Sequence, residues 1–206
     1  MSRPRKADWM NLKRLARYLK SRPRSILRYG YQERPEEISV WTDSDHAGCL
    51  STRKSTSGGM LMLGTHCVKS WSSTQAHIAL SSAEAEYYAM VKGASNALGV
   101  AGMLKDMGIP VGVALIEISL YSDASAALGI AQRRGLGKVR HVELQELWLQ
   151  HHIAKGTIKV FKVKGEHNIS DSLTKHSTAE RIEQTMYHAD QIIAEGRHDI
   201  MPKVAQ

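Results

Sequence analysis

The chain has 206 residues, 42% of them hydrophobic, and a formal net charge of +8 at pH 7. This length suits one ordinary domain with extensions, and the apolar fraction is enough for a packed core. The positive charge favours a polyanionic partner, most simply nucleic acid. Two cysteines, Cys49 and Cys67, exclude a disulfide framework, and no stretch approaches the length of a membrane span. We therefore expect a soluble intracellular protein.

The basic residues are concentrated at the N-terminal end. Residues 1–30 contain ten lysines and arginines against one acid, Asp8. Apolar residues recur there at helical spacing, namely Trp9, Leu12, Ala16 and Leu19. This pattern predicts a basic amphipathic helix over residues 8–20. The polar segment 32–37 interrupts the pattern and places a domain boundary near residue 35.

The central region, residues 36–176, alternates strand and helix patterns. Three strands are expected first, at about 38–43, 59–64 and 67–72, followed by a helix over about 82–106. The later elements are expected in this order: a strand at about 115–122, helices at about 124–133 and 141–155, a strand at about 157–163, and a short helix after Asn168. The order βββαβαβα predicts an α/β sheet covered by helices, with parallel crossovers between the later strands.

The last segment, residues 177–206, has a helical pattern of its own. Four apolar residues align on one face, namely Ile182, Met186, Ala189 and Ile193. Ser177 and Glu180 form a capping box at the start of this pattern. We therefore expect a helix over about 178–195. The chain divides into a basic helical segment at 1–35, a domain at 36–176 and this C-terminal helical tail.

Four acidic residues indicate a carboxylate cluster. Asp43 and Asp123 both follow a strand, an aromatic residue and a small hydroxyl residue, whereas Glu84 and Asp171 both open helical segments. Strand ends of open α/β sheets are where ligands bind, and packed carboxylates cannot all stay ionised without bound cations. Carboxylate oxygens suit Mg²⁺, and paired ions activate a water and stabilise the leaving oxygen of a phosphodiester. The set predicts a two-metal nuclease.

Each of these carboxylates also has a structural explanation. Asp43 and Asp123 stand where turn and capping aspartates are common, and Asp171 could simply begin a helix. The pattern Ser81-x-x-Glu84 is itself a capping box. Spacing alone therefore leaves the joint assignment open.

Two neighbouring acids compete for the same roles. Asp43 and Asp45 lie on the same side of a strand, so strand geometry does not separate them. Glu84 and Glu86 lie about 200° apart around a helix, so only one of the two can face a site. Weaker signals come from two histidines, His141 and His167.

Five strings occur in order along the chain: WTDSDHAG at 41–48, RKSTSG at 53–58, SSAEAEY at 81–87, YSDASAA at 121–127 and KVRHVE at 138–143. Together they resemble the ribonuclease H domain of Ty1/copia-type retrotransposon polyproteins, over about residues 8–176. The resemblance implies an RNase H-like fold, a five-stranded mixed sheet flanked by helices. It also implies an endonuclease that cleaves the RNA strand of RNA–DNA hybrids during reverse transcription.

The resemblance also assigns residues. It selects Asp43 over Asp45 and Glu84 over Glu86, and it adds Asp123 and Asp171 as ligands of Mg²⁺, with Mn²⁺ as an alternative. Basic residues are then expected to grip the phosphates of the hybrid, the candidates being Arg53, Lys54, Lys138 and Arg140.

The expected partners are an RNA–DNA hybrid and the reverse transcriptase domain upstream in the same polyprotein, because residues 11–20 resemble the helix that joins the two domains. Such a protein is expected in the cytoplasm, including virus-like particles, or in the nucleus. One rival is a catalytically inactive, retrotransposon-derived module that binds nucleic acid or a protein. An integrase or transposase is another, but it requires a glutamate late in the chain, whereas the glutamate here comes second.

Overall fold

The structure is a computed structural model that describes residues 4–109, 116–135, 137, 147–196, 198 and 200. In chain order its helices and strands are α1 (Lys6–Ser21), β1 (Arg24–Leu27), β2 (Glu37–Asp45), β3 (Thr56–Leu63), β4 (His66–Thr74), α2 (Ser82–Asp106), β5 (Glu117–Ser122), α3 (Ser125–Gln132), α4 (Trp148–Ala154), β6 (Ile158–Lys162), α5 (Ala179–His188) and β7 (Gln191–Ala194). Two short 3₁₀ turns, Gly165–His167 and Asp171–Leu173, lie between β6 and α5.

Within the described residues, β2 to β6 form one mixed sheet of five strands in the order β4-β3-β2-β5-β6. The pairs β2–β3 and β3–β4 are antiparallel, whereas β2–β5 and β5–β6 are parallel. The predicted α/β sheet of five strands, with parallel crossovers between the later ones, is therefore confirmed. The expected helix at 141–155 is seen as α4, and its earlier part lies outside the described residues.

The main core lies between one face of this sheet and the helices α2, α3 and α4. Strands β2 and β5 supply fully buried residues such as Val40 and Leu120, each of which stabilises the fold by about 1.5–3 kcal/mol. Helix α2 approaches β2 closely at Gly93, where an added methyl group would lie 2.5 Å from Cγ2 of Thr42. This close approach fixes the height of α2 above the strand that carries Asp43.

The opposite face of the sheet carries a smaller apolar cluster that includes Met60, Met62 and Ile169. Helix α5 lies on this side. The helix predicted over 178–195 is wrong in its second half, because α5 ends at His188 and β7 follows. Asp190 has a left-handed backbone (φ 48°) that reverses the chain, and the β-branched pair Ile192–Ile193 then extends against β1.

Strands β1 and β7 form a separate two-stranded antiparallel sheet. Arg28 extends this pairing, because its guanidinium binds the Asp190 carboxylate. Arg22 binds Glu183 of α5 at 3.1 Å. The first and last segments of the described chain are therefore in contact with each other.

Helix α1 has no buried residue. Its apolar residues, including Trp9 and Leu12, are more than half exposed. None of the helices in the described part of the chain is both long and apolar enough to cross a membrane.

Candidate active site

Three carboxylates converge at one edge of the main sheet. They come from Asp43 near the end of β2, Glu86 in the second turn of α2, and Asp123 directly after β5, and their ligand oxygens all lie within 4.8 Å of one another. Strands β2 and β5 are parallel neighbours, with Trp41 opposite Tyr121. The aspartate two residues beyond each aromatic residue therefore reaches the same place.

The electrostatics of this cluster disfavour three full charges. Burial raises the pKa of the Asp43 carboxyl above its usual range, and repulsion from Asp123 adds to the rise. Burial, followed by repulsion from Asp43 and Asp123, raises the pKa of Glu86 to about 8. Without a cation the cluster therefore retains protons near neutral pH.

Glu86 also has an unsatisfied atom. Its Oε1 accepts a hydrogen bond from the Ser44 backbone N–H at 3.2 Å. Its Oε2 is buried and has no hydrogen-bond partner within the described ranges. A buried carboxylate oxygen without a partner is costly, and a divalent cation is a ligand that would satisfy it. The three residues thus fit a hard metal ion by donor type, number and proximity.

The family resemblance of the sequence selected Glu84 over Glu86. In the structure, however, Glu84 does not belong to the carboxylate cluster. Its Oε2 accepts a hydrogen bond from the Leu80 N–H at 3.0 Å, and its Oε1 accepts one from the Tyr88 hydroxyl at 2.7 Å. Ser81 caps the helix by accepting from the Glu84 N–H. The prediction of Glu84 is therefore corrected to Glu86, because Glu84 lies on the other side of α2 and stabilises the start of that helix.

Asp171 lies beside the cluster and is connected to it through a lysine. The ammonium of Lys175 is 2.5 Å from Oδ1 of Asp171 and 3.6 Å from Oδ2 of Asp43. Arg181 of α5 approaches Oδ2 of Asp171 at 3.7 Å. Asp171 therefore faces the same site, with a positive charge between it and Asp43.

The segment that carries Asp171 is anchored on β2 by Asn168. This side chain is fully buried and donates to the backbone carbonyl of Thr42 at 3.0 Å. Its Oδ1 accepts hydrogen bonds from the N–H and the hydroxyl of Ser170. The amide of Asn168 thus fixes the chain three residues before Asp171 against the residue next to Asp43.

Close packing at two glycines completes the site. Gly58 lies opposite Asp43 in the sheet, and an added methyl group there would lie 2.6 Å from Cγ2 of Thr174. The absence of a side chain at Gly58 lets the Thr174 hydroxyl donate to Oδ2 of Asp43. A methyl group at Gly165 would lie 3.1 Å from Oδ2 of Asp123.

The other sequence candidates lie around this centre. Asp45 accepts a hydrogen bond from the Thr56 N–H and packs against Gly48, so it organises the β2–β3 loop. Arg53 is exposed and Lys54 is half-buried in the same loop. This loop begins at the end of β2 that carries Asp43. Lys138, Arg140 and His141 lie outside the described residues. His167 is exposed beside Glu166, at 3.6 Å.

Sequence reasoning missed the residues that support the carboxylates, namely Asn168, Thr174, Lys175 and Arg181. One signal was present, because Lys175 follows Asp171 at a spacing of four residues that often pairs opposite charges. The contacts of the other three residues depend on how distant parts of the chain fold together, and Asn168 and Arg181 donate to backbone carbonyls. Such contacts leave no periodic pattern in the sequence.

Comparison with known proteins gives several transposon polyproteins among the relatives of this chain. The chain is 25% identical over 176 residues to the retrovirus-related Pol polyprotein from transposon TNT 1-94 of Nicotiana tabacum, covering 85% of this chain. It is 27% identical over 179 residues to that from transposon RE2 of Arabidopsis thaliana, again covering 85%. The chain spans only 13% and 12% of the length of these polyproteins. No family model matches it.

Among solved structures, the chain is similar to LC11-RNase H1, which was isolated from compost by a metagenomic approach. The two share 17% sequence identity with a TM-score of 0.45, and the match covers 73% of this chain and 99% of the other.

The sheet order and the aspartates at the ends of two parallel central strands define an α/β protein of the RNase H-like class. Its homologues are Pol polyproteins of plant transposons. These homologues confirm the resemblance of the sequence to Ty1/copia-type retrotransposon polyproteins.

Proposed function

We propose that this chain is a metal-dependent ribonuclease H that cleaves the RNA strand of RNA–DNA hybrids during reverse transcription of a Ty1/copia-type retrotransposon. One observation carries the proposal: three carboxylates from separate elements converge at a sheet edge, and one of them has a buried, unpartnered oxygen. An inactive relic has no reason to retain such a costly arrangement, because isolated buried carboxylates destabilise a fold.

Asp43, Glu86 and Asp123 are the proposed metal ligands, and Asp171 is the proposed fourth. Mg²⁺ or Mn²⁺ ions bound by these residues would supply an activated water and stabilisation of the leaving oxygen. Glu86 must lose its proton to bind a cation, so metal binding is expected to release protons near neutral pH. The Thr174 hydroxyl holds Asp43 in place for this role.

Recognition of the hybrid is assigned to the same edge of the molecule. The 2′-hydroxyls of the RNA strand distinguish it from DNA in the minor groove, and basic side chains bind phosphates. Arg53 and Lys54 lie in the β2–β3 loop, which follows the end of β2 that carries Asp43. Lys138 and Arg140 complete the proposed phosphate-binding set.

The exposed apolar face of α1 supports the second proposed partner, the upstream reverse transcriptase domain. Trp9 and Leu12 are 57% and 51% exposed, an unusual state for large apolar side chains on one helix face. Leu12→Asp is expected to weaken association with the preceding polyprotein region in a pull-down assay. Arg14→Gln, on the other side of α1, changes the net charge by the same amount and should leave this association intact.

An intracellular location, cytoplasmic or nuclear, belongs to the same proposed function.

The decisive experiment is cleavage of a labelled RNA–DNA hybrid by the purified chain in Mg²⁺ or Mn²⁺, with duplex DNA as the substrate control. Asp43→Asn and Asp123→Asn are expected to lower the rate by about a thousandfold, because they remove metal ligands worth several kcal/mol in the transition state. Asp106→Asn is the matched control and should cleave normally, because Asp106 is exposed at the last residue of α2, about 30 Å along the helix from Glu86. Hybrid binding without cleavage by the wild type in either metal would show an interaction module instead.

A further inference from the structure

We propose that helix α5 is a clamp that positions Asp171 for metal binding, and that Arg181 and Thr185 are its two contact residues. This inference rests on the proposed function and extends it to the C-terminal segment, to which no role is otherwise assigned. The clamp acts on the segment 165–173, which contains both 3₁₀ turns and carries Asp171.

Arg181 binds the backbone of this segment at several points. Its guanidinium donates to the carbonyl of Gly165 at 2.6 Å, to that of Asn168 at 3.2 Å and to that of Glu166. The same group lies 3.7 Å from the Asp171 carboxylate. Only the planar guanidinium offers enough donors in a fixed geometry to serve these carbonyls together.

Thr185 lies one turn further along α5, on the same face as Arg181. Its hydroxyl lies 3.2 Å from the carbonyl of Ile169, at the same distance from the carbonyl of Arg181, and 2.7 Å from the hydroxyl of Ser172. The two side chains therefore contact the segment on both sides of Asp171. The carbonyls of Gly165 and Asn168 also accept backbone N–H groups within the segment, from Asn168 and Asp171, so Arg181 adds a second donor to each.

The helix is itself fixed from outside the site. Strand β7 follows α5 directly and pairs along its whole length with β1. Arg22 contacts Glu183 of α5 at 3.1 Å, on a side of the helix that does not face Asp171. A physical connection therefore runs from the two-stranded sheet through α5 to the segment that carries Asp171.

Groups that orient a metal ligand from behind typically change metal affinity or activity by about 10- to 100-fold when they are removed. Charge and geometry have to be separated in a test, since the Arg181 guanidinium also repels a cation. Arg181→Lys keeps the charge but loses the fork of donors, and Thr185→Val keeps the size but loses the hydroxyl. Arg17→Lys is the matched control, because it makes the same exchange at an exposed arginine of α1.

The experiment uses the full chain and two measurements. Hydrogen exchange by mass spectrometry reports on the peptide that contains the amides of His167, Asn168 and Asp171, which donate to the carbonyls of Lys164, Gly165 and Asn168. Mn²⁺ affinity is measured by electron paramagnetic resonance. Arg181→Lys and Thr185→Val are expected to speed exchange in that peptide and to weaken Mn²⁺ binding about tenfold. They should lower kcat for the hybrid with KM unchanged, and Arg17→Lys should change none of these quantities.

Unchanged exchange in both variants would overturn the clamp. Faster exchange with unchanged Mn²⁺ affinity would also overturn it, because α5 would then not position the metal ligand. Hydrogen exchange is measured without substrate and does not depend on cleavage. A wild-type chain that fails to cleave the hybrid therefore contradicts the proposed nuclease function and leaves the exchange test of the clamp in force.

Discussion

The carboxylates at the site are held by two structurally different regions. Asp43, Glu86 and Asp123 lie on or directly beside long elements whose positions are set by sheet register and by the main core. Asp171 lies on a three-residue 3₁₀ turn, and polar contacts from Asn168 and α5 hold that turn in place. The first region is rigid because of apolar packing, whereas the second depends on a few hydrogen bonds. Substitutions in the two regions should therefore differ in their effects on the cleavage rate and on the free energy of unfolding.

The largest expected effect is at Glu86, in the first region. Glu86→Gln should lower the rate of hybrid cleavage by about a thousandfold, corresponding to about 4 kcal/mol of transition-state stabilisation, because a proposed metal ligand is lost. Stability should be unchanged or raised, since like-charge repulsion is removed. Cleavage kinetics and urea unfolding check both outcomes.

Glu84→Gln is the matched comparison on the same helix. Here the expected change is a loss of about 1–3 kcal/mol in the free energy of unfolding, because the Leu80 N–H loses its acceptor or the Tyr88 hydroxyl is disturbed. The folded fraction should cleave at nearly the wild-type rate. If Glu84→Gln abolished cleavage in a well-folded protein, the correction from Glu84 to Glu86 would be wrong.

A smaller effect is expected at Asp171, in the second region. Asp171→Asn should slow cleavage by about 10- to 100-fold, because the Asp171 carboxylate lies outside the group of three and is linked to Asp43 through Lys175, and because the amide keeps one ligand oxygen. Side-by-side kinetics with Asp43→Asn at several Mg²⁺ concentrations measure the difference. Equal losses in the two variants would remove the distinction between the regions.

The anchor of the second region should affect stability. Asn168→Ala is expected to cost about 2 kcal/mol of unfolding free energy, because the carbonyl of Thr42 and the hydroxyl of Ser170 lose their partner in a fully buried place. Asn96→Ala, which removes an exposed hydrogen bond to Lys69, should cost much less. Thermal and urea unfolding of the two variants provide the measurement.

The smallest effect is a pH dependence of stability in the absence of metal. The pKa of Glu86 rises from its ordinary value of 4.5 to about 8 on folding, so between these values the unfolded chain binds fewer protons than the folded one. Stability should therefore fall as pH rises through this range. Unfolding curves in EDTA test this, and a fall that persists in Glu86→Gln would contradict the assignment to Glu86.

The sequence patterns predicted the first region well and the second poorly. The helix expected over 82–106 coincides with α2, and the strand expected over 38–43 lies within β2, because long apolar periodicity reports burial directly. Periodicity does not report how a helix is rotated against its sheet. The choice between Glu84 and Glu86 depends on that rotation, which is set when Ala85 and Tyr87 become buried.

The second region was beyond prediction for another reason. Strands β1 and β7 have four residues each and are too short for a reliable alternation. Their pairing joins segments at opposite ends of the described chain, a long-range contact that no local pattern carries. The contacts of Arg181 are made to backbone carbonyls, which every sequence has.

The pairing of β1 with β7 has a consequence for the order in which the site forms. Arg28 and Asp190 are 162 residues apart, so this contact closes a very long loop and is expected late in folding. During synthesis β7 emerges after every proposed metal ligand. The ligands on the main sheet can assemble beforehand, but the Asp171 segment gains its final support only when residues 191–194 have left the ribosome. A nascent chain should therefore be an incomplete nuclease until that point.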